Sequence, residues 1–387
     1  MRINDFKLER YFAAHEFTVH YLLSASDCEA LALAELLEWA DQETLGLWRD
    51  LKLGYTESAG HPLLRAAATA LYAGIAADEI LIAAPEELIF VAMNVLLAPG
   101  DHIIATFPGY QSLYEVAAAL GAAVTRWPLQ PAADGWRLDL AALERSITPA
   151  TKLLVVNFPH NPTGFLPARA ELDAIIGLAR QHGLTIFSDE MYRLLEYDAA
   201  RRLPSVADLY ERGIALSGLS KSFALPGLRI GWLATHERAF LARAAAFKDY
   251  TTICNSAPGE ILGVMALRAR DRILARNQMI VGENLGRAER FFTAHTDRFR
   301  WLPPQAGSVA FPQLTTGQPV AEFCRDVLEQ RSLMILPGDV FDFGGNHFRI
   351  GLGRRNFGEA LGVLEGYLTG VRGQESGTRF KTDSVRG

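Results

Sequence analysis

Through the middle of the chain, short apolar runs alternate with stretches whose apolar residues recur at helical spacing. The run 79–83 is apolar, and 86–98 follows with helical spacing until Pro99-Gly100-Asp101 breaks it. Residues 102–106 read as a strand that ends at Phe107-Pro108-Gly109-Tyr110. A helical stretch, 112–120, then leads to a strand-like run, 122–128. The sequence repeats the scheme with a strand at 152–157, a helix at 168–182 stopped by Gly183, and a strand at 184–188 that runs into Asp189. One more apolar run, 214–216, leads into a lysine-containing segment. Strands alternating with helices predict βαβ units, hence an α/β fold with a mostly parallel central sheet and helices on both faces. After about residue 235 the pattern changes. Long helices are expected at 237–248 and 259–292, short strands at 308–312, 333–336 and 347–352, and further helices at 321–330 and 356–368. This predicts a smaller α+β domain. The expected organisation is an N-terminal segment (1–45) packing with the small domain, a large domain (46–285), a small C-terminal domain (286–372) and a disordered tail (373–387).

Composition narrows the class. The chain has 387 residues, 49% hydrophobic and 21% charged, enough for a large core and two domains. A net charge of −6 with no basic stripe excludes nucleic acid as the main partner. The three cysteines, Cys28, Cys254 and Cys324, are far apart and form no C-x-x-C pair, so neither a disulfide frame nor a metal site is expected. Residues 1–7 show no leader, and no apolar run is long enough to span a bilayer, so the expected location is the cytoplasm.

Candidate chemistry clusters where such sheets bind ligands, at the carboxyl ends of strands. Asn161, Asp189 and Lys221 each follow a strand end. Lys221 stands in S-G-L-S-K-S-F-A-L-P-G-L-R-I-G (217–231), flanked by small residues. Lysine is the side chain that forms Schiff bases with carbonyl groups. Arg229, just past the Pro226-Gly227 turn, is a fixed cation for a nearby anion.

With N-F-P-H-N-P-T-G (157–164), S-D-E-M-Y (188–192), the Lys221 segment and H-F-R-I-G-L-G (347–353) in this order, the chain resembles class I/II aminotransferases. These are pyridoxal-5′-phosphate enzymes of the aspartate-aminotransferase fold, fold type I, and the likeness runs from about residue 45 to 360. The resemblance implies that Lys221 is the Schiff-base lysine and later moves the Cα proton. Asp189 then partners the pyridine nitrogen, while Tyr192 and Asn161 donate to the ring 3′-oxygen. Arg229 and Ser220 hold the phosphate, Glu86 stands at the phosphate loop as a further cofactor-binding position, and Tyr110 stacks on the ring. Tyr55 reaches a phosphate in the neighbouring subunit, which implies a homodimer with shared active sites. Arg349, with Asn161, clamps the α-carboxylate of an amino acid or 2-oxo acid.

Three departures accompany the match. The phosphate loop reads Ala83-Ala84-Pro85-Glu86-Glu87 instead of a Gly followed by a small residue. Pro85 has no N–H to offer, and Glu86 and Glu87 put carboxylates in a helix N-terminal field that suits an anion. Phosphate contacts are therefore expected to lean on Arg229, Ser220, Ser222 and Tyr55. Gly218 stands where many relatives have Ser, and 22–27 lacks the usual L-x-x-G-x-P. The segment 107–116 also resembles a branch containing capreomycidine synthase. The leading function is transamination; the alternatives are a lyase or cyclase acting at Cβ and a non-catalytic module. Arg193 and the stretch 11–17 are the candidate readers of the substrate side chain.

Overall fold

Residues that are apolar in unbroken runs form strands buried on both faces, because a parallel sheet is covered by helices above and below. Seven strands make the central sheet, in the order Ile80–Ala83, Gly231–Ala234, Gly213–Gly218, Thr185–Asp189, Thr151–Asn157, His102–Phe107 and Ala123–Pro128. This is the computed structural model of the chain, and it describes residues 2–133 and 135–370. The tail expected at 373–387 lies outside the described residues. Gly231–Ala234 runs antiparallel to both its neighbours; the other neighbouring strands pair in parallel. Ala123–Pro128, at one edge, is the strand with mixed exposure. The fold is thus the mostly parallel α/β sheet that the apolar pattern predicts.

Helix bounds agree with the pattern at Pro85–Leu96, Ser112–Ala119, Arg169–Gln181, Arg238–Lys248, Val320–Arg331 and Phe357–Leu368. The single helix expected at 259–292 is two helices, Ala257–Arg268 and Arg270–Ala294, separated at Ala269. No Gly or Pro marks that break. The first helix is buried almost all round and the second on one stripe only, so they pack in different surroundings. The strand expected at 333–336 is likewise two short pieces, Leu333–Met334 and Leu336–Pro337, in different sheets.

The N-terminal segment binds to both halves of the molecule. Tyr21–Leu22 pairs in parallel with Leu333–Met334. The helix Lys7–His15 is held from the other side, where the Lys7 amide donates to Gln111 Oε1 at 2.9 Å and Asn4 reaches Glu115. Residues 23–29 lie along the strand Phe348–Gly351 and its continuation: Gly351 N donates to Leu23 O at 2.7 Å and Glu29 N to Gly353 O at 2.8 Å. Two glycines permit that approach. A Cβ on Gly351 would sit 1.7 Å from Ala25 O, and one on Gly353 would sit 2.4 Å from Asp27 O. Gly351→Ala is expected to cost about 1–3 kcal/mol, the usual range for overpacking. A denaturant melt measures it, and unchanged stability would contradict this packing.

Candidate active site

Three strand ends converge on one cavity of about 560 Å³. Its lining includes Ser26, Asp27, Pro85, Glu86, Tyr110, Asn161, Asp189, Tyr192, Ser220, Lys221, Arg229 and Arg349. The structure therefore gathers nine of the residues singled out by sequence into one place.

Lys221 Nζ donates to Ser26 Oγ at 2.7 Å. Its surroundings strip water from the amine and lower its pKa, with Arg349 acting in the same sense and Asp27, Glu9 and Asp189 opposing. Asp189 ends its strand fully inside, where burial pushes its pKa up to about 6 against the Met191 N–H, which donates to Oδ1 at 3.0 Å, and the charge of Lys221. Asn157, at the end of the neighbouring strand, holds this region together. Its Nδ2 donates to Asp189 O at 3.0 Å, and its Oδ1 accepts from the Asn161 amide at 2.8 Å. Tyr192 OH donates to Ser26 O at 3.1 Å.

Arg349 is 1% exposed. Its guanidinium donates to Asn161 Oδ1 at 3.1 Å and to Ser24 O at 3.0 Å, while Nε has no partner among the described residues. An arginine in such a place is aimed at an anion. Arg349→Lys keeps the charge and loses the planar fork. It is expected to raise the KM for amino acids by roughly 10- to 100-fold, the worth of one or two charged hydrogen bonds. Initial rates across substrate concentration test this; an unchanged KM removes Arg349 from carboxylate binding.

Arg229 is exposed at the cavity rim, held in the left-handed region at φ 56° after the turn Pro226–Leu228, with its guanidinium donating to Pro226 O. Ser220 is buried on the same wall. The structure corrects Ser222: its hydroxyl donates to Met191 O and Arg193 O and does not line the cavity. Arg193 is also corrected as a side-chain reader. Its guanidinium donates to Leu71 O and Leu203 O, against the Tyr72 ring and away from the cavity. Tyr55 lies outside the cavity of its own chain and is 93% exposed.

The unusual loop becomes intelligible in space. Pro85 opens the helix Pro85–Leu96 and packs where a Cβ on Gly231 would be 2.7 Å, and one on Gly218 3.1 Å, from its Cγ. The departures at Pro85 and Gly218 are thus one contact. Of the two glutamates, only Glu86 faces the cavity; Glu87 accepts from Thr251 and Thr252 hydroxyls instead. Glu86 accepts from Ser112 Oγ at 3.2 Å, and burial pushes its pKa up to about 7. It therefore carries only part of a charge at neutral pH, which softens the expected conflict with an anion.

Sequence reasoning missed Ser26 and Glu9 as lining residues. Tyr110 OH donates to Glu9 Oε1 at 3.0 Å. The stretch 11–17 does reach the cavity, through Phe12 and Glu16.

Comparison with known proteins agrees with this geometry. A family model for aminotransferase class I and II matches residues 23–356. Capreomycidine synthase of Streptomyces vinaceus is 28% identical over 295 residues, 76% of this chain and 75% of that protein. A solved PLP-dependent aminotransferase from Streptococcus suis aligns with a TM-score of 0.89 at 28% identity, covering 97% of this chain and 100% of that one. The PLP-dependent cyclase OrfR aligns with a TM-score of 0.88 at 26% identity, covering 96% and 98%. A desolvated amine, a buried carboxylate and an unpartnered arginine nitrogen around one cavity fit pyridoxal 5′-phosphate and an amino acid. The chain belongs to the class I and II aminotransferase family, whose cofactor is pyridoxal 5′-phosphate and whose fold is that of aspartate aminotransferase.

Proposed function

We propose that the protein is an aminotransferase that moves the amino group of an L-amino acid to a 2-oxo acid. The observation that carries this reading is the placement of the Lys221 amine, desolvated and next to Arg349, in one cavity. When bound, pyridoxal phosphate supplies a ring that accepts the electron pair left at Cα. Lys221 Nζ would hold its aldehyde and would serve as the base that moves a proton at Cα. Asp189 would keep the ring nitrogen protonated, and Asn161, Tyr192 and Tyr110 would hold the ring in place. Arg229 and Ser220 would take the phosphate, and Arg349 would hold the substrate carboxylate.

Exposed apolar residues support a homodimer. Leu53 and Tyr55 are 84% and 93% exposed, and Tyr250 and Ile253 lie on a second segment tied to the first by Ser58–Asp249 and Lys248–Ser58 hydrogen bonds. In a dimer this surface would be covered and Tyr55 would reach the partner's cavity; a single-chain mass in sedimentation would remove this part of the reading.

A second reading keeps the same Lys221 but loses a group from Cβ and cyclises. A capreomycidine synthase and a cyclase stand among the relatives and lend it support, beside the more numerous aminotransferases. A panel of amino acids offered singly to the cofactor-loaded protein separates the two. Transamination releases the matching 2-oxo acid in one turnover and leaves the cofactor aminated. Only eliminated or cyclised products, identified by mass, would refute it.

A further inference from the structure

The N-terminal helix gives the cavity a face that the roles above leave unused. Glu9, Phe12 and Glu16 follow the i, i+3, i+7 spacing of one helical side, and all three line the cavity together with Phe6. The carboxylates around the cavity are Glu9, Glu16, Asp27, Glu86 and Asp189. Asp189 is assigned to the ring nitrogen. Asp27 is paired with Arg354, which reaches both of its oxygens at 3.1 Å. Glu86 is held by Ser112. Glu9 and Glu16 remain. Glu9 uses one oxygen to accept from Tyr110, and the Glu16 carboxylate makes no hydrogen bond or ion pair among the described residues, its backbone N–H alone donating to Phe12 O.

Both carboxylates are half-buried and repel each other; burial, then Asp27 and Glu9, raise the Glu16 pKa, and the charges of Arg354 and Lys221 offset this only in part. A cation placed between them relieves both penalties. Arg349, 1% exposed with its Nε unpartnered, marks the same cavity as the seat of an anion. A ligand that satisfies both has a carboxylate at one end and a positive charge at the other. Phe12 adds a ring face, already 5.8 Å from the Arg349 guanidinium, that suits a flat or compact cation. An acidic side chain would meet like charge, and an apolar one would leave two carboxylates facing it without water.

We infer that the substrate is an amino acid whose side chain ends in a cation, read by Glu9 in the N-terminal helix and Glu16 at its C-terminal cap. This rests on the proposed seating of the α-carboxylate on Arg349. It adds a specificity surface in a segment whose sequence departs from the usual family pattern.

The test is calorimetric titration of the full-length, cofactor-loaded protein with arginine, lysine, citrulline and glutamate, with product masses measured in parallel. Citrulline is the uncharged counterpart of arginine. Arginine or lysine is expected to bind at least about 10-fold tighter than citrulline, and glutamate weakest. In Glu9→Gln/Glu16→Gln that ratio is expected to fall toward one. Gln at position 9 still offers an oxygen to Tyr110, and Glu16→Gln alone, at a half-buried site, provides a reading should the double variant fail to fold. Citrulline or glutamate binding as tightly as both cations would overturn the inference, as would a preference for cations that survives the substitutions. Cations that bind tightly yet release no 2-oxo acid would sink the transamination reading and leave this one standing.

Discussion

Lys221→Ala is expected to lower turnover by roughly 10²- to 10⁴-fold with every amino acid, the range for removing a positioned general base. The argument is local. The amine's pKa is lowered chiefly by desolvation, so a larger share of it is neutral near pH 7 than in a lysine in water. Only the neutral amine attacks an aldehyde or takes a proton. Ser26 Oγ, 2.7 Å away, fixes its position before substrate arrives. Alanine removes the proposed nucleophile and base together, at a side chain that lines the cavity. Two readouts are needed. Single-turnover rates measure the chemistry, and the visible absorption of cofactor-loaded protein should lose its lysine-dependent component. A variant within tenfold of the wild-type rate would show that another group does this work, and would also rule against the cyclase reading, which needs the same amine.

What the sequence makes legible follows from how local each signal is. Asn161, Asp189 and Lys221 are legible because strand ends are set by short apolar runs, and ligands gather at those ends. The strand Gly231–Ala234 escapes such reading: it has only four residues, lies close behind the lysine segment, and enters the sheet antiparallel. The break at Ala269 carries no Gly or Pro and depends on what the two helices pack against. Ser26 and Glu9 are illegible for a different reason. They reach the cavity from the other end of the chain, and Lys221–Ser26 spans 195 positions. No periodicity reports a contact of that kind. Gly351 and Gly353 did leave a trace in H-F-R-I-G-L-G, but their purpose shows only when Ala25 and Asp27 are seen lying against them. Pro85 and Gly218 read as two separate oddities along the chain, and as a single contact in space.

Asp189→Asn is expected to lower kcat/KM by about 10²- to 10³-fold, corresponding to about 3–4 kcal/mol for breaking a buried charged pair. Asparagine keeps the size and the acceptor for Met191 N–H but removes the charge that would hold the ring nitrogen protonated. The pH dependence supplies an independent check. In the free protein, burial raises the Asp189 pKa to about 6. A positive ring nitrogen beside it would pull that value down, so binding expels a proton wherever the free carboxyl is protonated. The sign follows: cofactor affinity should fall as pH drops below about 6, by up to tenfold per unit from this group, and should be independent of it above about 7. Glu86, at about 7, and the cofactor's phosphate titrate in the same region, so the quantity to measure is the difference between wild-type and Asp189→Asn affinity profiles. That difference should shrink as pH falls from 7 to 5. Profiles that stay parallel throughout would mean that Asp189 does not pair with the ring, and the electron-accepting role assigned to this strand end would have to move elsewhere.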